Sequence, residues 1–194
     1  MTEPLPTHPF LIAIAGGSAS GKTTLACGLL DALGPARAAR IELDSYYRDL
    51  SRLSADQRAA VNFDHPDALD LDAFRQDLAR LRLGHSVEQP VYDFSSHRRA
   101  ARTETVAPRP VIIADGLFVL HPDLAGLFDL RIFVEAAADL CLIRRIRRDT
   151  RERGRALDGI LDQYLATVRP MYEQFIVPTR SEEHTSELQS RQSI

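Results

Sequence analysis

Residues 16–23 have the residue types and the spacing of a phosphate-binding loop. Their sequence, GGSASGKT, matches G-x-x-x-x-G-K-[ST], whose glycines let successive backbone N–H groups point at one phosphate cluster. The ammonium of Lys22 would reach the β- and γ-phosphates of a nucleotide, and the Thr23 hydroxyl would bind Mg²⁺. Lys22 is the only lysine among 24 lysine and arginine residues, which indicates a need for a compact ammonium here. The predicted nucleotide-binding residues are Gly16, Gly17, Ser18, Ala19, Ser20, Gly21, Lys22, Thr23 and Thr24.

Two aspartates follow short apolar segments and could supply the carboxylates that phosphoryl transfer needs. Such a reaction needs a base or orienting carboxylate at the acceptor hydroxyl, and an acid that holds the metal. Asp44 follows residues 40–43 and is the candidate base, while Asp115 follows residues 111–114 and is the candidate acid on the Mg²⁺ side. Each carboxylate could instead cap the turn that follows it.

An arginine-rich segment covers residues 144–155 (RRIRRDTRERGR), with seven arginines in twelve positions. At helical spacing, Arg144, Arg148, Arg151 and Arg155 share one face. Such a cluster can close over phosphates as a lid, form a solvated face, or bind nucleic acid. The net negative charge of the chain and the phosphate-binding loop favour a lid, which we place at about residues 144–156.

The residues around these motifs predict an α/β fold of the P-loop NTPase type. Apolar runs alternate with helical patterns, which indicates a parallel sheet with helices on both faces. The predicted strands are 10–15, 40–43, 111–114 and 130–134, and the predicted helices are 23–33, 55–60, 71–83, 138–152 and 157–176. A small β-hairpin, at about residues 86–106, lies outside this sheet. Because ligands bind beyond the carboxyl ends of parallel strands, Gly16, Asp44 and Asp115 are expected at one edge.

Length and composition indicate a single cytoplasmic domain, which we place at residues 1–180. A net charge of −3 argues against a dedicated nucleic-acid or membrane binder, and no apolar run reaches the length of a membrane span. Residues 1–9 have no features of a signal peptide. Cys27 and Cys141 lie in apolar helical patterns and are expected to be reduced core residues.

Residues 181–194 (SEEHTSELQSRQSI) differ in composition from the rest of the chain. Apolar periodicity stops at Ser181, and Ser, Glu, Gln and His become frequent. Residues 180–190, RSEEHTSELQS, resemble the translation of a common sequencing-adapter oligonucleotide. We predict that this tail is not native and replaces the natural C-terminus; a natural disordered tail is the alternative.

Taken together, the motifs resemble the uridine kinase (uridine–cytidine kinase) family of P-loop kinases, which is related to phosphoribulokinase and pantothenate kinase. The resemblance extends over about residues 10–179. The segments that carry it are GGSASGKTT, DSYYRDL, NFDHPDALD, PVYDFSSHRR, VIIADG, RRDTRERGR and VRPMYEQFIVPTR. It implies ATP-dependent phosphorylation of uridine, and of cytidine, at the 5′-hydroxyl, with ATP or GTP as donor and Mg²⁺ as cofactor. It also implies a homo-oligomer, commonly a tetramer, and no nucleic-acid or membrane partner.

The resemblance also implies residue roles. Asp44 would accept the proton of the 5′-hydroxyl and help to hold Mg²⁺, while Arg148 and Arg153 would act with Lys22 on the ATP phosphates. Asp64 would bind the ribose hydroxyls with the help of Arg145 and Gln163. Tyr92 and His97 would read the pyrimidine edge. The other residues expected to line the nucleoside pocket are Phe63, Phe94, Tyr47 and Arg155.

Two features depart from the family pattern. The family usually has Glu where this chain has Asp115, whose shorter side chain would act on the metal through water or lower the Mg²⁺ affinity. Members continue beyond the PTR motif into a further strand and helix, and without that strand the side of residues 130–134 would be exposed.

The closest alternative function is a related P-loop kinase for another metabolite, like phosphoribulokinase or pantothenate kinase. The others are a nucleotide-dependent switch that binds nucleic acid, and a non-catalytic ATP-binding protein.

Overall fold

The computed structural model describes residues 8–59, 61–94 and 96–180. The proposed non-native tail from Ser181 and the predicted helix end at Ala60 lie outside the described residues. The elements are β1 (Phe10–Gly16), α1 (Lys22–Leu33), β2 (Ala38–Glu42), α2 (Ala55–Ala59), α3 (Leu71–Arg82), β3 (Val87–Asp93), β4 (Arg98–Val106), β5 (Val111–Asp115), α4 (Pro122–Ala125), β6 (Leu130–Val134), α5 (Ala138–Glu152) and α6 (Leu157–Gln163). In the described ranges, no helix is both long and apolar enough to cross a membrane.

The main sheet is parallel and has the strand order β2-β5-β1-β6. Its two central strands are continuous apolar runs because side chains on both of their faces are covered. One face packs on α1 through Ile12, Ile14 and Ala26, and the other packs on α3 and on the hairpin. The prediction of a parallel sheet with helices on both faces is confirmed. Strand β6 lies at the edge of the sheet and pairs there with β1.

Helix α3 has the amphipathic pattern that the sequence predicted. Asp70 caps its first turn by accepting a hydrogen bond from the N–H of Ala73 at 3.1 Å. Phe74, Leu78 and Leu81 are fully buried on the stripe that faces the sheet. The stripe follows helical spacing, so burial of this face fixes how the helix is rotated on the sheet.

The hairpin is a separate two-stranded antiparallel sheet of β3 and β4. Its second strand begins at Arg98, which pairs with Asp93 next to the turn. Val87, Tyr92 and Val106 pack against the larger core, whereas most of β4 is exposed. The hairpin therefore attaches to the sheet along one side only.

Helix α5 matches the predicted bounds, but its functional face differs from the prediction. Arg144 and Arg151 are exposed, whereas Arg145 and Asp149 are buried. The helix ends at Glu152, and Gly154 has a φ of 62°, which turns the chain. Arg155 therefore lies beyond the helix and cannot share its face. The prediction that Arg144, Arg148, Arg151 and Arg155 share one helical face is therefore wrong.

The segment after α6 is helical but not a single α-helix. Tyr164–Val168 and Tyr172–Ile176 are π-helical turns, and Arg169–Met171 lies between them. Pro170, which has no backbone N–H, is in the short part between the two turns. The wider turns shift the side chains that follow α6 relative to an ideal helix.

Two local predictions were wrong. Strand β2 ends at Glu42, and Asp44 lies in the single helical turn Leu43–Tyr46 that follows it. Cys27 is exposed, because the buried face of α1 contains Leu25, Ala26 and Leu29, and the next residue after Ala26 points away from it. Cys141 is half-buried, and both cysteines are free thiols.

Replacing Leu78 with Ala should destabilise the fold, because the side chain is fully buried between α3 and the sheet. We expect the free energy of unfolding to fall by about 2–4 kcal/mol, measured by urea denaturation. The matched control is Leu83→Ala at the end of the same helix, where Leu83 is 75% exposed. Equal losses in the two variants would contradict the packing described for α3.

Candidate active site

The phosphate-binding loop follows β1 and has a backbone that few residues other than glycine can adopt. Gly16 has a φ of 148°, and a Cβ there would collide with the carbonyl oxygen of Val134 on the neighbouring strand. Gly21 has a φ of 110° and precedes the first residue of α1. The loop therefore passes close to β6 and then points backbone N–H groups and the N-terminus of α1 toward one space.

Lys22 and Asp44 line the same cavity, which has a volume of about 1130 Å³. The Lys22 ammonium donates to the carbonyl oxygen of Gly17 at 3.1 Å, and its residue is only 8% exposed. Burial lowers the pKa of Lys22, while the charges of Asp44 and Asp115 oppose this shift. Burial raises the pKa of Asp44, and the charge of Lys22 opposes that shift. The ammonium and the carboxylate thus stabilise one another's charged forms in a desolvated place.

Thr23 and Asp115 meet at the carboxyl ends of β1 and β5. The Thr23 hydroxyl donates to Asp115 Oδ2 at 3.1 Å, and Asp115 is 4% exposed. The Asp115 carboxylate also accepts from Arg40, with Nε at 2.7 Å from Oδ1 and Nη2 at 3.1 Å from Oδ2. The sequence placed both residues on the metal side, but it predicted neither their hydrogen bond nor the contact with Arg40.

Aromatic rings form a second part of the same cavity. Tyr47 contacts three of them, with centroid distances of 6.0 Å to Phe63, 5.1 Å to Tyr92 and 6.0 Å to Phe94. His97 stacks on Phe63 at 4.3 Å, with an angle of 20° between the ring planes. All five side chains line the cavity, so the structure brings together the rings that the resemblance implied.

Two polar atoms on these rings have no protein partner among the described residues. The Tyr92 hydroxyl and the His97 Nδ1 are buried and make no hydrogen bond there. Burial lowers the pKa of His97, and the charges of Arg155 and Arg58 lower it further. A planar ligand between the rings could satisfy both polar groups at its edge.

Asp64 lies in the cavity and is held by two side chains from the helical segment after α5. Its Oδ2 accepts from Thr167 Oγ1 at 2.7 Å and from Gln163 Nε2 at 3.2 Å. Gln163 ends α6, and Thr167 is in the π-helical turn after it. The Asp64 Oδ2 atom is therefore fixed in place, which suits a carboxylate that orients a polyhydroxyl ligand.

Arg145 is connected to Asp64 through Gln163. It donates to Gln163 Oε1 at 3.0 Å and, from Nη1, to Ser18 Oγ of the phosphate-binding loop at 2.9 Å. Arg155 donates to the same Gln163 oxygen at 2.6 Å. A continuous chain of hydrogen bonds thus joins the phosphate-binding loop to Asp64.

A fully buried carboxylate, Asp149, organises the predicted lid arginines. Its oxygens lie 2.9 Å from Arg148, 3.7 Å from Arg145, 3.7 Å from Arg153 and 3.5 Å from Arg155. Arg153 also lies over the Phe94 ring, 4.9 Å from its centroid. The lid segment therefore contacts the hairpin as well as the phosphate side of the cavity.

Sequence reasoning missed Asp149, Thr167 and Arg40. An isolated aspartate inside an arginine-rich helix was a usable signal for Asp149, since so many like charges on one helix need a counter-charge. Thr167 gave no signal, because its position depends on the π-helical turn. Arg40 lies in the predicted strand 40–43, where a charged residue indicates a partner on a neighbouring strand.

The parallel sheet, the phosphate-binding loop and the lysine that faces a carboxylate define the class of the P-loop kinases. Solved structures agree on the fold. D-glycerate 3-kinase from Cryptococcus neoformans has a TM-score of 0.69 and 16% identity over 94% of this chain and 84% of that one. Phosphoribulokinase from Rhodobacter spheroides has a TM-score of 0.67 and 21% identity over 89% of this chain and 66% of that one.

The chain belongs to the phosphoribulokinase/uridine kinase family, whose sequence profile matches residues 11–188. It is 47% identical to a protein named uridine kinase from Chloroflexus aurantiacus. The alignment is 175 residues long and covers 90% of this chain and 84% of that protein. The chain is 45% identical over 171 residues to a uridine kinase from Lactococcus lactis, covering 88% of this chain and 83% of that one. The family implied by the sequence motifs is confirmed.

Replacing Thr167 with Val should weaken acceptor binding, because it removes a donor from Asp64 and preserves the shape of the side chain. We expect the KM for the acceptor, measured first with uridine, to rise about tenfold with a smaller change in kcat. The matched control is Thr103→Val on the exposed hairpin, whose hydroxyl donates to Glu88 at the same distance of 2.7 Å. A KM that moves equally in both variants would show that the Thr167 contact does not act on the acceptor.

Proposed function

We propose that this protein transfers the γ-phosphoryl group of ATP to the 5′-hydroxyl of uridine, and of cytidine, to give the nucleoside monophosphate and ADP. The observation that carries this proposal is one cavity lined by Lys22, Asp44, Asp64 and the aromatic rings. Lys22 suits a triphosphate and Asp44 suits an acceptor alcohol. Asp64 and the aromatic rings suit a ribose that carries a planar base. The names of the most similar relatives support uridine as the first substrate to test.

Asp44 is the proposed base for the acceptor hydroxyl. Its carboxylate lines the cavity that Lys22 also lines. Burial raises the pKa of this carboxyl, which makes the carboxylate a better proton acceptor, while the charge of Lys22 opposes this shift and favours the ionised form. Lys22 also offsets charge on the transferred phosphoryl group. The hydroxyl loses its proton to Asp44 as its oxygen bonds to the γ-phosphorus and the bond from that phosphorus to the ADP oxygen breaks.

The residues present fit a magnesium ion. Asp44 Oδ1, which has no hydrogen-bond partner among the described residues, and the Thr23 hydroxyl are the oxygen donors that this hard cation prefers, and Asp115 lies behind Thr23. When bound, Mg²⁺ would neutralise charge on the β- and γ-phosphate oxygens. We propose that Thr23 and Asp44 hold it and that Asp115 supports Thr23.

The arginines on and after α5 are proposed to close on the donor phosphates. Arg148 and Arg153 line the cavity and carry charge toward the phosphate side, and Asp149 keeps them ordered. Closure would exclude water from the reacting groups and limit hydrolysis of ATP without an acceptor.

Tyr92 and His97 are proposed to bind the edge of the pyrimidine ring, because their buried polar atoms are without a partner among the described residues.

Three finer properties are also proposals. We infer ATP or GTP as the donor, a cytoplasmic location and a homo-oligomer, following the family resemblance. Light scattering of the purified protein measures its oligomeric state. A related kinase reaction on ribulose 5-phosphate or pantothenate is the alternative, and it would require turnover of those acceptors.

The direct test is phosphate transfer from radiolabelled ATP to a panel of uridine, cytidine, ribulose 5-phosphate and pantothenate. We expect product with the two nucleosides only. In the same assay Asp44→Asn should lower kcat on the order of 10²–10⁴-fold, because the amide cannot accept the proton. ATP binding, measured by calorimetry, should change little.

The matched control for that variant is Asp49→Asn, since Asp49 is an exposed carboxylate five positions along the chain that bonds to Ser51. It should leave turnover unchanged. Turnover of ribulose 5-phosphate or pantothenate without uridine would replace the proposed substrate, and full activity of Asp44→Asn would remove the proposed base.

Uridine binding should depend on pH through His97. Its pKa is lowered from the ordinary value of 6.5, so the neutral imidazole persists to a lower pH than in a free side chain. We expect a constant KM for uridine from pH 8 down through 6.5, and a rise only at lower pH, when the ring gains a proton. His97→Asn should remove this rise, whereas the exposed His85→Asn should keep it. A KM that begins to rise above pH 6.5 would contradict the role given to burial.

A further inference from the structure

Arg40 donates hydrogen bonds to both carboxylate oxygens of Asp115. Its Nε donates to Oδ1 at 2.7 Å and its Nη2 donates to Oδ2 at 3.1 Å, which is a bidentate pair. The remaining nitrogen, Nη1, donates to Glu42 Oε1 at 2.8 Å. The side chains are well covered, with 17% of Arg40 and 4% of Asp115 exposed. Every terminal nitrogen of the guanidinium therefore has an anionic partner.

The sheet itself fixes this arrangement. Strands β2 and β5 pair in parallel, with Glu42 opposite Asp115. Arg40 and Glu42 are two residues apart and lie on the same face of β2. The N–H of Glu42 also donates to Gln89 Oε1 at 2.8 Å, which ties this end of β2 to the hairpin. The guanidinium has little freedom to leave Asp115.

A carboxylate held in this way is a poor direct ligand for a divalent cation. Both of its oxygens already accept hydrogen bonds, and the adjacent guanidinium charge repels a second cation. Oδ2 also accepts from the Thr23 hydroxyl, whose own oxygen keeps lone pairs for a metal. Asp115 can therefore orient Thr23, and contact a metal through its water, without coordinating the ion itself.

We propose that Arg40 is a positioning residue that withholds Asp115 from direct coordination, so that this site takes up the divalent cation only together with the nucleotide phosphates. The inference rests on the proposed function, because it assumes a metal–nucleotide complex at Thr23 and Asp44. It adds that the affinity of the empty protein for the free cation is set by a residue on a neighbouring strand.

The probe is Mn²⁺ alone, measured by electron paramagnetic resonance in the absence of nucleotide and nucleoside. Arg40→Gln should bind Mn²⁺ on the order of tenfold more tightly than the unmodified protein, since the carboxylate is freed and a repelling charge is lost. Arg37→Gln is the matched control, because Arg37 is exposed just before β2, and it should leave the affinity unchanged.

A double variant, Arg40→Gln with Asp115→Asn, identifies the group responsible. The gain in Mn²⁺ affinity should disappear, whereas a gain through Glu42 would persist and overturn the proposal. Unchanged or weaker Mn²⁺ binding in a folded Arg40→Gln protein would also overturn it, because Arg40 would then only join two strands. Thermal unfolding establishes that each variant is folded.

Arg40→Lys provides a second route if Arg40→Gln does not fold. The ammonium keeps the charge but cannot hold both oxygens of Asp115, so we expect a smaller gain in Mn²⁺ affinity that still exceeds that of Arg37→Gln. No gain would count against the proposal. These measurements need no acceptor, so their failure is distinct from a failure to phosphorylate uridine.

Discussion

The site depends on burying an ammonium ion beside carboxylates at the end of the sheet. Lys22 is almost fully covered, and an unpaired charge in that place would be costly. Asp44 and Asp115 reduce this cost, and Lys22 in turn stabilises the ionised form of Asp44. The glycine loop and the parallel strands are the means by which these groups arrive from three distant parts of the sequence. The remaining parts of the cavity are arranged around this charge balance.

The lid segment also contains a buried charge that is balanced by neighbouring opposite charges. Asp149 is fully buried and lies within ion-pair distance of four arginines. Without it, those arginines would repel one another and turn toward solvent. Helix α5 and the residues that follow it therefore present an ordered set of cations to the cavity. The exposed arginines Arg144 and Arg151 on α5 are not part of that set.

Much of the fold and of the site could be predicted because local patterns carry it. The apolar run of β1, the glycine spacing after it and the stripe on α3 are each readable over a few residues, and each agrees with the structure. The face of the arginine-rich helix could not be predicted in this way. Helical spacing placed Arg155 on α5, but the helix ends at Glu152 because of the turn at Gly154. Contacts such as Arg40 with Asp115, or Thr167 with Asp64, join residues that are far apart in sequence or depend on a π-helical turn, and one sequence has no periodicity that reveals them.

The hydrogen-bond chain from Ser18 through Arg145 and Gln163 to Asp64 has an energetic consequence. One end contacts the loop for the phosphoryl donor, and the other contacts the place proposed for the ribose. A ligand that orders either end reduces the conformational entropy that the other ligand must still remove. If a bound ligand orders the whole hydrogen-bond chain, the affinities of the two proposed substrates are linked, and reciprocity makes the factor the same in both directions.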